Sequence, residues 1–302
     1  MEESIIIANA FHHVAWGTPI TVYFWLVGVS AGSFLIATLG WVFGVERFKP
    51  LAMIASVVAI VALVFVPVLL VWDIGQPWRF FYLMLPAFWH NTAPMAWGST
   101  LIMGYMLFMF TYVFFEVKKN PRWTRITGVI AIVLALALEW YTGVVMEFNP
   151  GRPINHTALA PLLFLTGAFI SGTAMVIIVV WFVNIFAAPA RQIDWKLIEE
   201  LARYLMYGVI FDLFLLWLDF FHTLYGGEGV FMGHKVVLMD VFRFPYLWLE
   251  VIFGLFVPLF ILLSPLKKFR LGIVCASILV VGGVYGMRIW WVLGGQYMQS
   301  FY

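Results

Sequence analysis

Uncharged apolar blocks dominate this chain. No Asp, Glu, Lys or Arg occurs in Gly17–Val45, Leu51–Trp72, Phe80–Phe115 or Thr157–Ala188. About 20 apolar residues cross the hydrocarbon core of a bilayer as a helix, so each of these windows can span one. The pattern predicts eight spans, at roughly 19–43, 50–72, 93–115, 124–146, 157–186, 203–221, 245–263 and 271–293. Prolines stand at several predicted starts (Pro19, Pro50, Pro245), where the missing N–H would have had no helical partner. Connections at 44–49 and 264–270 are short, so the spans they join run antiparallel. The loops at 73–92 and 222–244 are long for a compact bundle, and long ordered loops often carry function.

Composition agrees with this reading: 64% of residues are hydrophobic and 11% charged, against roughly 25% charged in soluble domains. The expected fold class is an all-α integral membrane protein. The net charge of +2 is spread over loops and points to no nucleic-acid partner. The start, "MEESIIIANAFHH", has two acids and no basic run, so no cleavable signal peptide is expected. Cys275 lies in an apolar span, where packing is its expected role. A single cysteine makes neither a disulfide nor an iron–sulfur cluster, so no cluster is expected in this chain.

Charge also sets orientation. Arg47, Lys49, Lys118, Lys119, Arg122, Arg125, Arg191, Lys196, Arg203, Lys267, Lys268 and Arg270 fall at one set of span ends, twelve in all. Arg79, Arg152, Lys235, Arg243 and Arg288 make five on the other side. The positive-inside rule places the twelve in the cytoplasm, so both termini are expected outside, in a multi-pass protein of the cell (cytoplasmic) membrane with its functional face outside.

Three stretches recur in the same order. "LLVWD" (Leu69–Asp73) echoes "LLWLD" (Leu215–Asp219), "PMAWG" from Pro94 echoes "PYLWL" from Pro245, and "LVGVSAG" from Leu26 echoes "LTGAFISG" from Leu165. We therefore expect two pseudo-repeated four-helix bundles, 1–156 and 157–302, pointing the same way.

Ionisable residues within spans are costly and usually face the bundle interior. Glu139, Asp219, Glu250 and Arg288 gather toward the outer side, with Asp212 two turns from Asp219 on the same face. They form either a proton path or a structural polar cluster. For Asp219, Glu250 and Arg288 the plainer expectation is a charge-paired cluster within the second bundle. All six histidines also fall outside: His12, His13, His90, His156, His222 and His234. No helix offers a haem-ligating histidine and no histidine pair has i, i+4 spacing, so neither haem nor a metal site is expected.

A second polar set collects at the outer ends of the first five spans. It comprises His12, His13, Asp73, Gln76, Arg79, His90, Asn91, Tyr141, Glu147, Arg152, Asn155 and His156, amid several tryptophans. An interfacial aromatic belt with polar loops accounts for many such residues singly. It accounts less well for Asp73 and Arg79 flanking Gly75 and Pro77 in one tight turn. A quinol head group is a flat, neutral ring whose two oxygens exchange hydrogen bonds and protons. Its oxidation needs donors and acceptors at both ends, a carboxylate or imidazole to take protons, and an apolar opening for the tail. The set supplies this mixture.

The motifs resemble one family over essentially the whole chain. Asp73-Ile-Gly-Gln-Pro-Trp-Arg79 is similar to the Asp-x-Gly-Arg-Pro signature of the NrfD/polysulfide reductase membrane subunits, and "PMAWGS" from Pro94 to their Pro-Met-Ser-Trp-Gly. "WGTPITVYFWLVGVSAG" from Trp16 resembles their first helix and "YTG" at Tyr141 their fourth. Gln76 stands where the signature has arginine, and Ala96 where the second motif has serine. The resemblance implies a quinone-interacting anchor of a respiratory oxidoreductase, binding menaquinone or menaquinol as substrate. It implies partners too: a four-cluster ferredoxin-like iron–sulfur subunit, a molybdopterin (Mo/W) catalytic subunit of sulfur- or polysulfide-reductase type, and membrane lipid. It leaves room for a dimer of heterotrimers. Carried across, the catalytic positions become Asp73, Tyr141 and His13. His12, Gln76, Arg79, His90, Asn91, Asn155 and His156 surround the quinone, and Arg79 is expected to reach back and balance Asp73. The competing expectation is a secondary transporter built from parallel four-helix repeats. Such carriers often have helices broken at the midplane, and here Pro67 alone breaks a span deeply.

Overall fold

The computed structural model describes residues 16–75, 77–83, 90, 92–147, 157–186, 188, 192–225, 231 and 234–297. Eight of its helices are long and apolar enough to cross a membrane. They are α1 Thr18–Trp41, α2 Lys49–Asp73, α3 Pro94–Val117, α4 Pro121–Glu147, α5 Ala160–Phe186, α6 Trp195–Tyr225, α7 Phe244–Leu263 and α8 Arg270–Gly294. The protein is an integral multi-pass membrane protein.

Prolines sit in the first turns of α1, α2, α3 and α7, as the sequence predicts. Two departures have local causes. α6 begins at Trp195, eight residues before the expected start. Its extra turns bury Leu197, Ile198, Leu201 and Ala202 on one face, while Glu200 on another pairs with Arg47 at 2.7 Å. An apolarity criterion stops at such charges; an amphipathic helix does not. α7 is the second departure. Phe244–Phe256 winds in wide π-helical turns before continuing as α-helix from Val257, so Pro67 does not mark the sole irregular span. Pro258 lies just beyond that change of pitch.

Trp16 and Gln296 tie the two described ends together: the Trp16 N–H donates to Gln296 Oε1 and Gln296 Nε2 donates to the Trp16 carbonyl, both at 2.8 Å. With eight alternating spans, this face also holds the end of α2 at Asp73 and the start of α3 at Pro94.

α1 and α5 occupy the middle, and residues from all eight helices contribute to one contiguous core. Apolar side chains gain nothing from leaving lipid for protein, so close packing and hydrogen bonds must hold such helices together. Here small residues do so. A Cβ on Gly32 would lie 1.9 Å from the Ala168 carbonyl oxygen, and one on Gly172 would lie 2.3 Å from the Gly32 carbonyl carbon. The two helix backbones touch at this crossing, and Ser33 Oγ donates to the Gly172 carbonyl at 3.3 Å. These glycines occupy corresponding places in the "LVGVSAG" and "LTGAFISG" echo. Gly32→Val is expected to push α1 off α5 and destabilise the protein by at least about 1–3 kcal/mol, the range for overpacking. Thermal unfolding of the detergent-purified protein measures this, and an unchanged midpoint would refute the crossing.

Cys275, for which a packing role is expected, is exposed on α8.

Candidate functional site

α2 stops at Asp73 because the following residues cannot prolong it. The Ile74 N–H still bonds back to the Leu70 carbonyl at 3.1 Å, but Gly75 takes φ +66°, a region that favours glycine. Pro77–Leu83 then forms a short 3₁₀ turn. Asp73 is thereby left half-buried at the rim of a cavity of about 310 Å³ among α1, α2, α3 and α4. This volume lies at the lower end of the range for small-molecule sites.

Polar groups are few in the lining and come from different helices: Tyr23 from α1, Asp73 from α2, Ser99 from α3 and Tyr141 from α4. The walls are otherwise apolar, with Ile20, Phe24, Leu70, Ile102 and Met106 among them. Tyr141 is held in place from α3. Its hydroxyl donates to the Pro94 carbonyl at 2.6 Å, and its ring fills the space beside Gly98, where a Cβ would stand 2.6 Å from it. Two motifs distant in sequence, "PMAWG" and "YTG", are therefore one packed unit.

The structure brings Asp73 and Tyr141 into one cavity and leaves other expected residues elsewhere. Arg79 is exposed, and among the described residues it makes no ion pair with Asp73. The expected balancing of Asp73 by Arg79 is not formed among the described residues. His90 is exposed and is not among the described residues lining the cavity. His12, His13, Gln76, Asn91, Asn155 and His156 lie outside the described residues.

The second polar group forms a belt across both halves. Glu139 of α4 and Arg288 of α8 are fully buried and meet at 2.6 Å. The same Arg288 Nη2 donates to the Phe164 carbonyl at 3.2 Å, and the guanidinium lies 3.7 Å from the Phe164 ring centre. The pair fits because the helices beside it carry no side chain there: Cβ atoms on Gly28 and Gly167 would stand 3.3 and 3.7 Å from Arg288 Nη2. Arg288 thus joins the two halves through Glu139, which corrects the expectation of a charge-paired cluster confined to the second. Nearby, the Thr166 hydroxyl donates to Asp212 at 2.5 Å, and the Trp290 indole donates to Glu250.

One buried acid escaped the sequence reading. Glu116, in the last turn of α3, ends an uncharged window and looks like a loop residue, yet it is only 6% exposed. The Trp41 indole and the Ser56 hydroxyl each donate to its carboxylate at 3.2 Å. A buried acid therefore exists on the face opposite Asp73. The available signal was the helical phase of Tyr105, Met109, Tyr112 and Glu116, which share one buried stripe.

Comparison with known proteins adds a second line. Residues 7–299 match the family model described as "Polysulphide reductase, NrfD". The Hdr-like menaquinol oxidoreductase integral membrane subunit of Archaeoglobus fulgidus is 26% identical, covering 96% of this chain and 73% of its own. One of the polysulfide reductase chains of Wolinella succinogenes is 24% identical over 95% of this chain and 96% of its own. One of the selenate reductase subunits of Mesobacillus selenatarsenatis is 22% identical over 97% and 76%.

Proposed function

This chain belongs to the polysulphide reductase, NrfD family, and from that membership we propose that it is the membrane subunit through which a respiratory complex oxidises menaquinol. The observation that carries the reading is the shared cavity of Asp73 and Tyr141, an apolar slot with one carboxylate at its rim. A relative named as a menaquinol oxidoreductase subunit supports the choice of quinol. Relatives named as parts of selenate and polysulfide reductases support a molybdopterin-type catalytic partner reached through an iron–sulfur subunit.

The quinol ring enters between the helices with its tail along the lipid-facing wall. One ring hydroxyl donates to the Asp73 carboxylate, and Tyr141, fixed by Pro94, orients the other end of the ring. Two electrons leave for the partner's nearest cluster and two protons pass to Asp73 and water, giving the quinone. The excess of basic residues on the opposite face supports a site on the outer side of the cell membrane.

Filling the cavity tests the assignment. Met103, on its lining, is also half-exposed, so Met103→Trp is tolerated by the fold. The purified Met103→Trp complex is expected to lose quinol-driven substrate reduction by about tenfold or more, while a reduced viologen dye that feeds the catalytic subunit directly still drives it. A tenfold loss corresponds to about 1.4 kcal/mol. Unimpaired quinol-driven turnover would place the site elsewhere.

A further inference from the structure

A cavity of about 230 Å³ opens on the face opposite Asp73, where α6 begins, α7 ends and α8 begins. Its lining is of two kinds. Arg203 of α6, with Lys267 and Lys268 of the short turn Pro265–Lys268, contributes exposed cationic side chains. Glu199 is the one acid among the described lining residues. The remainder is apolar: Ala202, Leu262 and Ile273 are buried, and Met206 is half-buried. Leu262 closes the last turn of α7 and Ile273 lies in the first turn of α8, so this floor belongs to the spanning helices themselves.

The chain itself does not neutralise these cations. Elsewhere on this face Arg47 pairs with Glu200 and Lys49 with Glu46, while Lys118 and Arg270 lie over the rings of Phe114 and Trp195. Among the described residues, the side chains of Arg203, Lys267 and Lys268 form no ion pair and lie over no aromatic ring. Three positive charges against one negative therefore converge on a small space. An anion would satisfy them, and the floor says of which kind. Inorganic phosphate keeps its hydration and gains nothing from Leu262 or Ile273. An acidic protein segment has no use for a floor set inside the spanning helices. A phospholipid has both parts, a phosphate for the cations and acyl chains for the apolar surface, and basic pockets between helix ends recognise such head groups. Tyr207 and Leu263, each next in sequence to a lining residue, are exposed hydrophobic side chains of spanning helices, so acyl chains have a surface to lie along.

We infer that this cavity binds the head group of an anionic phospholipid, with its phosphate among Arg203, Lys267 and Lys268 and its acyl chains leaving past Met206 and Leu262. The site lies on the opposite face from the quinol cavity and does not depend on the function proposed above.

The test titrates the purified complex in detergent with phosphatidylglycerol carrying a fluorescent label on one acyl chain, read by anisotropy. Phosphatidylcholine labelled in the same way is the zwitterionic control, and phosphatidylglycerol is expected to bind more tightly. Each cation near the surface is worth about fivefold to such binding, so Arg203→Gln, Lys267→Gln and Lys268→Gln together are expected to weaken it by about a hundredfold. Glu199→Gln removes the one repelling charge and is expected to tighten binding by about twofold or more, a gain that misfolding cannot imitate. Lys119→Gln, Arg122→Gln and Arg125→Gln together remove the same charge from exposed positions on the same face, away from the cavity, and should bind like the wild type. Equal affinity for the two lipids, or an equal loss in both triple variants, would overturn the inference in favour of diffuse surface charge. Displacement of the lipid by inorganic phosphate, beyond that by chloride at the same ionic strength, would overturn it in favour of a free-anion site. Absence of phosphatidylglycerol binding would also overturn it, and is the result that an acidic protein partner would give.

Discussion

Asp73→Asn is expected to lower quinol-driven turnover by about a hundredfold or more, within the range that a positioned proton acceptor contributes. The substitution is nearly isosteric, so the turn at Gly75 and the cavity walls stay in place. What disappears is the capacity to accept a proton, and Asp73 is the one carboxylate among the described residues lining the cavity. Steady-state rates with a soluble quinol, set beside the rate with a reduced viologen dye, separate this loss from a failure of assembly. Wild-type quinol-driven turnover in Asp73→Asn would show that Asp73 is not the proton acceptor. Family membership also removes the reason for preferring a solute carrier, since the internal echo that suggested one is carried by an oxidoreductase membrane subunit.

The second large effect is structural. Arg288→Met leaves Glu139 as a buried carboxylate deprived of its cation, because the two are each other's ion-pair partner and neither is exposed. Breaking a buried pair from one side costs about 3–5 kcal/mol, whereas replacing both partners with neutral groups is often close to harmless. Arg288→Met is therefore expected to unfold at much lower temperature or fail to assemble. The double variant Arg288→Met with Glu139→Gln should recover most of the loss. A double-mutant cycle on thermal unfolding measures the difference. If the double variant is as unstable as the sum of the singles, the pair is not what joins the halves.

How much of this was legible beforehand varies from residue to residue. The eight spans follow from uncharged windows, because lipid admits little other than helices and backbone groups must be satisfied within them. Asp73 and Tyr141 were readable as candidates from local motifs and their resemblance to a family. That they share a cavity was not, since the contact of Tyr141 with Pro94 and Gly98 depends on how α3 and α4 pack. Arg79 shows the opposite limit. Six residues from Asp73 looked close enough for a pair, but none forms among the described residues, and sequence spacing does not encode reach.

Sequence by itself determined the membrane class, the number of spans and the family, because each depends on local composition or on a contiguous motif. The tertiary structure decided the partners. It gave Arg288 to Glu139 across the halves, and it buried Glu116 and Asp219. The reason is physical: in a bundle whose helices meet through small residues, such as Gly32 against Gly172, side-chain neighbours follow from where backbones touch. Such crossings join positions far apart in the chain.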